Sequence, residues 1–128
     1  MTAPAPYVYY GKVLSVYDGD TFTIDLDLGI HVHLTPISCR FAGIDTPEIK
    51  SKTASEKEAA TKARDWLRGK IQDKVVLVHS LSSPDKYGRL QVRIWCEETA
   101  GKTCINDQLI SAGLARAYDG GTKSDWET

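Results

Sequence analysis

Hydrophobic positions along the chain first keep the spacing of strands, then that of a helix, and then repeat the pair. Residues 7–17 (YVYYGKVLSVY) are rich in aromatic and β-branched side chains, as a strand requires. In TFTIDLDLG, residues 21–29, Phe22, Ile24, Leu26 and Leu28 alternate with Thr21, Thr23, Asp25 and Asp27, which predicts a half-buried strand. The alternation resumes as Ile30, Val32 and Leu34 against His31, His33 and Thr35, so Gly29 predicts a hairpin. The third strand runs on to Arg40 and Phe41, with a bend or bulge at Pro36. A helix is predicted over 54–68, with Ala59, Ala63, Trp66 and Leu67 on one stripe and Gly69 as its stop. Thr53 with Glu56, or Ser55 with Glu58, has the spacing of a capping box. Strands around 73–80 and 89–96 follow, joined by SLSSPDKYGR, and then a short helix over 104–112 with Ile105, Leu109 and Ala112 inward. This is an α+β pattern on an antiparallel sheet. Five short strands of this kind suit an OB-fold β-barrel with two packed helices.

Composition narrows the class. A chain of 128 residues reads as a single domain, 1–128 with tails at 1–7 and 119–128, able to bury about two thirds of its unfolded surface without disulfides. No apolar run approaches membrane-spanning length, and no membrane partner is expected. MTAPAPYVYY has neither a basic n-region nor an apolar h-region, so the expected location is cytoplasmic, or secreted if a leader was removed ahead of this numbering. The three cysteines form no CxxC pair, which argues against zinc. Cys96 and Cys104 flank EETAGKT and could face each other across a hairpin, but in a reducing cytosol they are expected as thiols. A net charge of −1 does not describe a general polyanion binder, so any positive charge for nucleic acid must be local.

The chemistry concentrates in three places. RFAGIDTPE, residues 40–48, crowds one guanidinium, two carboxylates and a proline into a short span. Asp45 or Thr46 could cap a helix holding Pro47 and Glu48 in its first turn. Alternatively, the proline fixes carboxylates around a cation while Arg40 faces an anion. The next residues, IKSKTAS, have no helical spacing of apolar positions, and the following helix has its own caps. The group is therefore expected on a loop at the end of a strand, where sites are commonly built. DGDT at 18–21 and DKYGR at 85–89 can each be read as a turn. Together the three supply what phosphodiester hydrolysis demands. A hard cation takes carboxylate and carbonyl oxygens, which Asp20, Asp45 and the Thr46 carbonyl can provide. Glu48 can orient or deprotonate a water. Arg40 and Arg89 can grip phosphate oxygens at two points as charge develops. His31 and His33 share a strand face but have no third ligand, so a solvated face is the reading. Trp66 reads as core; Trp95, on the face opposite Val92 and Ile94, either covers an edge or touches a base.

In order, DGDT, R-x-x-x-x-D-T-P-E and D-K-Y-G-R resemble the thermonuclease (staphylococcal-nuclease-like) family, over roughly residues 10–118 including INDQLISAGLARAY. The resemblance implies an OB-fold barrel with packed helices and Ca²⁺-dependent cleavage of DNA and RNA. It implies attack by water at phosphorus with loss of the 5′ oxygen, leaving 3′-phosphate ends. By position, Asp20, Asp45 and Thr46 resemble the calcium ligands, and Arg40, Glu48 and Arg89 the catalytic trio. Lys86 and Tyr87 resemble nucleotide-contacting residues; Tyr118 does so one residue out of register from Gly113. The chain departs from the family in a longer segment between DGDT and Arg40, a longer EETAGK hairpin and a shorter loop after Glu48. It also stops near Trp126, where the family continues into a third helix. Two carboxylates with waters suit Mg²⁺ as well as Ca²⁺, and the resemblance alone selects calcium. The expected partners are single-stranded or locally melted DNA and RNA, met by a monomer. The rival readings are a barrel that binds single strands without hydrolysis, which has no need of Arg40, Glu48 and Arg89 together, and a calcium-binding structural protein, which has no use for the arginines.

Overall fold

The computed structural model describes residues 7–98 and 101–118. Strands β1 (Val8–Val16), β2 (Thr21–Gly29) and β3 (Val32–Phe41) form an antiparallel meander, followed by the two-residue β4 (Ile44–Asp45) and the helix α1 (Ala54–Ile71). Then come β5 (Val75–Ser80), β6 (Leu90–Glu98), β7 (Gly101–Cys104), the short helix α2 (Ile105–Ser111) and β8 (Arg116–Ala117). The sheet order is β3-β2-β1-β5-β6-β7, and β3 also pairs with β6, so five strands close into a barrel with β7 added outside it. The closing contact is parallel and short: Cys39, Arg40 and Phe41 lie opposite Leu90, Gln91 and Val92. β4 pairs with β8 in a separate small sheet. This is the OB-fold barrel with two helices that the strand pattern predicts.

The alternation in β2 does what its period requires. Phe22, Ile24 and Leu26 point into the barrel at 2% exposure or less, and Phe22 stacks at a tilt on Phe41 with ring centroids 5.1 Å apart. Gly11 of β1 is glycine for a steric reason, since a Cβ there would lie 2.5 Å from Ile24 Cδ1. The predicted irregularity at Pro36 is present: Ile24 pairs with Ile37 but Leu26 pairs with Leu34, one extra residue on β3. Beyond this bulge the hairpin projects from the barrel, so Leu28, Val32 and Leu34 are exposed where the alternation predicts burial. His31 sits in the turn and not on the strand, so it does not share a face with His33, which instead bonds Asp25 at 2.8 Å.

Thr53 caps α1, accepting from the Glu56 amide, as one of the two predicted boxes requires. The helix runs past Gly69 to Ile71, because Leu67 and Ile71 continue the buried stripe and that burial outweighs one poor helix former. The stripe holds Ala60 in place of Ala59, with Ala63 as predicted, and Trp66 is only partly buried against the core. β5 starts at Val75 rather than near residue 73, because Asp73 takes a left-handed turn at φ 61°. In α2, Ala112 is exposed at the C-cap, and Asn106 is buried instead. The hairpin after β6 carries a further strand, β7, whose register pairs Cys96 with Thr103 and Trp95 with Cys104. Cys96 and Cys104 are thus one residue out of opposition, and no disulfide among the described residues joins Cys39, Cys96 or Cys104. Trp126 lies outside the described residues. Among the described residues, no helix is long and apolar enough to cross a membrane.

The β2–β3 hairpin turns on Ile30 and His31, both left-handed at φ 56° and 60°. Two-residue turns of this hand favour Asn-Gly, and a β-branched residue is strained there. Replacing Ile30→Asn with His31→Gly should stabilise the chain by about 1 kcal/mol. A denaturation midpoint that stays fixed or falls would contradict this account of the turn.

Candidate active site

Barrel closure sets the site. Arg40, near the end of β3, lies opposite Thr21 of β2 on one side and Gln91 of β6 on the other, so Asp20 is one residue and Arg89 two residues from its partners. Its guanidinium donates to the carbonyls of Phe41 and Ile44, both at 3.1 Å, and one Nη stands 3.6 Å from Asp20 Oδ2. The Phe41 amide donates to the Asp20 carbonyl at 2.9 Å. Arg40 is therefore held by backbone on two sides, which fixes its direction before any anion arrives.

The DGDT turn is built from its own side chains. Asp18 Oδ1 accepts from the Asp20 amide, and Thr21 Oγ1 donates to Asp20 Oδ1. The amides of Tyr17 and Asp18 both converge on the Thr21 carbonyl. Gly19 brings this turn against the loop that follows β4. A Cβ on Gly19 would sit 2.8 Å from Ala63 of α1 and 3.1 Å from Thr46 Cγ2. The glycine thus serves close approach between two loops and a helix. Burial, and then the charge of Asp20, push the Asp18 carboxyl up to about 7.

The DTPE group lies on a loop after a strand, as its surroundings predict. Ile44 and Asp45 pair with Ala117 and Arg116, and Asp45, 2% exposed, meets Arg116 Nη2 at 3.2 Å. Thr46 and Pro47 are buried and Glu48 is exposed. A cavity of about 250 Å³ brings together Asp20, Arg40, Thr46, Glu48 and Arg89, with Asp18 and Tyr17 at its wall. Asp45 does not line this cavity; it is buried behind Thr46 against Arg116. Lys86 and Tyr87 stand on the DKYGR turn, where the Lys86 ammonium and the Arg89 guanidinium each lie 5.1 Å from the Tyr87 ring centre. Tyr118 stays close to the site through Arg40, whose guanidinium is 5.9 Å over its ring.

Four contributors escaped the sequence reading. Asp18 was passed over within DGDT, although its carboxylate sets the turn. Arg116 shows no signal until β8 places it on Asp45. Asn106 bridges elements: its Oδ1 accepts from the Ile94 amide and its Nδ2 donates to the carbonyls of Ala42 and Val92. It thereby fastens α2 to β6 and to the residue that follows β3. Asp85 is the fourth, and the DKYGR motif does display it. One oxygen accepts from the Tyr87 and Arg89 amides, the other from Arg89 Nε and Gln91 Nε2. These bonds, the Arg89 amide first, hold the Asp85 carboxyl below the usual carboxylate range.

Asp85 therefore positions Arg89. Asp85→Asn keeps an oxygen for the two amides but turns an NH₂ towards Arg89, and should lower kcat by about tenfold or more with a smaller change in KM. Because the folded carboxyl titrates below its unfolded value, the stability it lends is present above the ordinary Asp pKa and is lost as pH falls through the lowered one. The protection of the Tyr87 and Arg89 amides, taken relative to their intrinsic exchange at each pH, should accordingly fall in acid in the parent chain, and should show no such step in Asp85→Asn. An unchanged kcat in the variant would remove the positioning role.

Residues 38–127 match the staphylococcal nuclease homologue family. The thermonuclease of Staphylococcus hyicus is 34% identical over 107 residues, covering 83% of this chain and 57% of that protein. Endonuclease Htp3 of Saprolegnia parasitica is 30% identical over 117 residues, covering 84% of this chain and 55% of that protein. The probable endonuclease LCL3 of Candida glabrata is 32% identical over 97 residues, covering 74% and 37%. The chain thus spans little more than half the length of the first two relatives. With a closed five-stranded barrel, the three motifs drawn to one end of it and a match over most of its length, this chain belongs to the staphylococcal nuclease homologue family.

Proposed function

We propose that the chain is a calcium-dependent nuclease that hydrolyses phosphodiester bonds of DNA and RNA, leaving 3′-phosphate ends. The observation that carries this reading is the meeting of Asp20, Arg40, Glu48 and Arg89 around one cavity. The donor chemistry fits a hard cation. Asp20 stands beside a second carboxyl, Asp18, that is already pushed up by burial and by their proximity, and the buried Thr46 adjoins them. Among the described residues no group of three or more His, Cys, Asp or Glu could hold a metal ion, so the reading of a cation rests on Asp20 with the neighbouring Thr46 and on the family likeness. Asp20 and Thr46 would hold the ion, and Asp45 is the further carboxylate that the DTPE group offers; when bound the ion would supply positive charge for the phosphate and acidify a water.

The chain's own residues account for the rest. Glu48, exposed at the cavity mouth, takes a proton from the attacking water. The water oxygen bonds to phosphorus, the bond from phosphorus to the 5′ oxygen breaks, and that oxygen leaves with the electron pair and gains a proton. Arg40, fixed by two carbonyls, and Arg89, fixed through Nε by Asp85, receive the phosphate oxygens as negative charge grows. No side chain forms a covalent bond. Calcium in preference to magnesium rests on the family likeness.

Purified protein should cleave single-stranded DNA in Ca²⁺, cleave poorly in Mg²⁺ and lose activity in chelator. Cleavage in neither condition would favour the binding-module reading, and strong turnover in Mg²⁺ with inhibition by Ca²⁺ would overturn the choice of metal. Arg89 separates chemistry from affinity. It is partly exposed on a turn, so Arg89→Ala should change stability by no more than about 0.5 kcal/mol. Its kcat should fall by at least ~10²-fold, with a smaller loss of single-strand affinity. Arg89→Lys should not restore the rate fully, because an ammonium lacks the planar two-point grip. A near-parental kcat with only KM raised would make Arg89 a phosphate anchor.

A further inference from the structure

We propose that Tyr17 is the stacking face for one of the two nucleobases that flank the scissile phosphate, at the end of the catalytic cavity away from Tyr87; the inference rests on the nuclease reading for the nature of the substrate. The cavity stands on a row of four strand ends. Val16, the last residue of β1, pairs with Phe22 of β2, Thr21 of β2 pairs with Arg40 of β3, and Arg40 pairs with Gln91 of β6. Tyr17 follows β1 directly, and Tyr87 stands on the turn that leads into β6. The two phenols therefore belong to opposite ends of the row, which are three strand spacings or about 14 Å apart. Arg40 stands between them.

The backbone of Tyr17 is fixed and its ring is left to solvent. Its amide donates to the Thr21 carbonyl at 3.0 Å, within the turn that sets Asp20. Arg68 of α1 holds the preceding carbonyl, that of Val16, donating from Nε at 3.2 Å and from Nη2 at 3.1 Å. The ring is 55% exposed and takes no part in the core. Among the described residues that line the cavity, Tyr17 alone is aromatic, and Pro47 and Ile49 share the lining as apolar surface. Tyr87 does not line the cavity and instead lies against Arg89, with the guanidinium 5.1 Å from its ring centre. A phosphodiester carries a nucleoside on each side. Tyr87, itself 70% exposed, offers a face to one base, and Tyr17 offers a face to the other. Every base has a π-face, so such a contact adds affinity without reading sequence and needs no net charge around the ring. Stacking of this kind is the same before and during the reaction. Tyr17 therefore belongs to KM, where Arg40 and Arg89 belong to kcat.

The test uses single strands of about six nucleotides in which one phosphodiester is cleavable and the other linkages are methylphosphonates. One strand carries all its bases, and two others carry an abasic sugar on one side or the other of the cleavable phosphate. On the complete strand in Ca²⁺, Tyr17→Ala should raise KM about fivefold or more, with kcat changed by less than about twofold. Tyr17→Phe and Tyr17→Trp should keep KM near the parental value, since each retains a ring. The effect of Tyr17→Ala should vanish on one of the two abasic strands and persist on the other, which identifies the base that the ring meets. Affinities for the same three strands in chelator, where nothing is cleaved, should follow the pattern of KM. A parental KM and affinity in Tyr17→Ala would overturn the proposal. An equal loss on all three strands would also overturn it, because the ring would then serve the DGDT turn and not a base. Failure of the parent chain to cleave ordinary single-stranded DNA would overturn the nuclease reading instead, and the affinities in chelator would still decide the role of Tyr17.

Discussion

Everything at the catalytic end depends on three residue pairs. Cys39, Arg40 and Phe41 meet Leu90, Gln91 and Val92 in a parallel register, and this contact turns an open sheet into a barrel. It places Arg40 between the ends of two other strands, one leading from Asp20 and the other from Arg89. Without it, the arginines belong to distant parts of the chain. With it, they share a cavity wall, and the Phe41 and Ala42 amides are occupied by the carbonyls of Asp20 and Val92. The residues between, Phe22 and Phe41 in contact beneath and Asn106 bonded to Ala42 and Val92 from outside, clamp the same seam from both faces. A buried amide satisfied three times over is specific in a way that an apolar contact is not, since a shift of one residue leaves it unpaired.

Charge within the site follows one scheme. Asp20 faces Arg40, Asp85 faces Arg89, and Asp45 faces Arg116. Each arginine is thereby oriented by an acid, and the acids are fixed in turn by backbone amides or by burial. Placing the charges in opposed pairs keeps the total near neutral while leaving guanidinium edges and carboxylate oxygens beside one another. Rigid donors of this kind need little rearrangement when charge develops.

What could be read from the chain, and what could not, divides along sequence distance. The alternation of Phe22, Ile24 and Leu26 fixes a face of β2 because it depends only on the period of a strand. DGDT, DTPE and DKYGR were legible as chemistry because each motif is local, and DKYGR even contains the acid that aims its own arginine. Arg116 could not be read, because its meaning comes from a strand of two residues pairing across 71 positions. Asn106 looked like any polar residue on a short helix until tertiary contacts buried it. Gly69 and Ala59 were misplaced by one rule each: a glycine is a weak stop when the apolar stripe continues beyond it, and the stripe's phase is set by which face meets the barrel. The exposure of Leu28, Val32 and Leu34 follows from the bulge, since alternation reports that a strand has two faces and not that a core covers one of them.

The small sheet of β4 and β8 has a consequence for synthesis. Chains emerge amino end first, and the barrel strands through β6 leave the ribosome well before Arg116 does. During that interval Asp20, Arg40 and Arg89 can already be close, yet Asp45 lacks the strand that orders it and the guanidinium that faces it. The loop carrying Thr46 and Glu48 lacks the pairing of β4 with β8 at its start. Order in this loop is therefore timed by the chain's last described strand, so a half-made copy has its arginines in place before Asp45 meets Arg116.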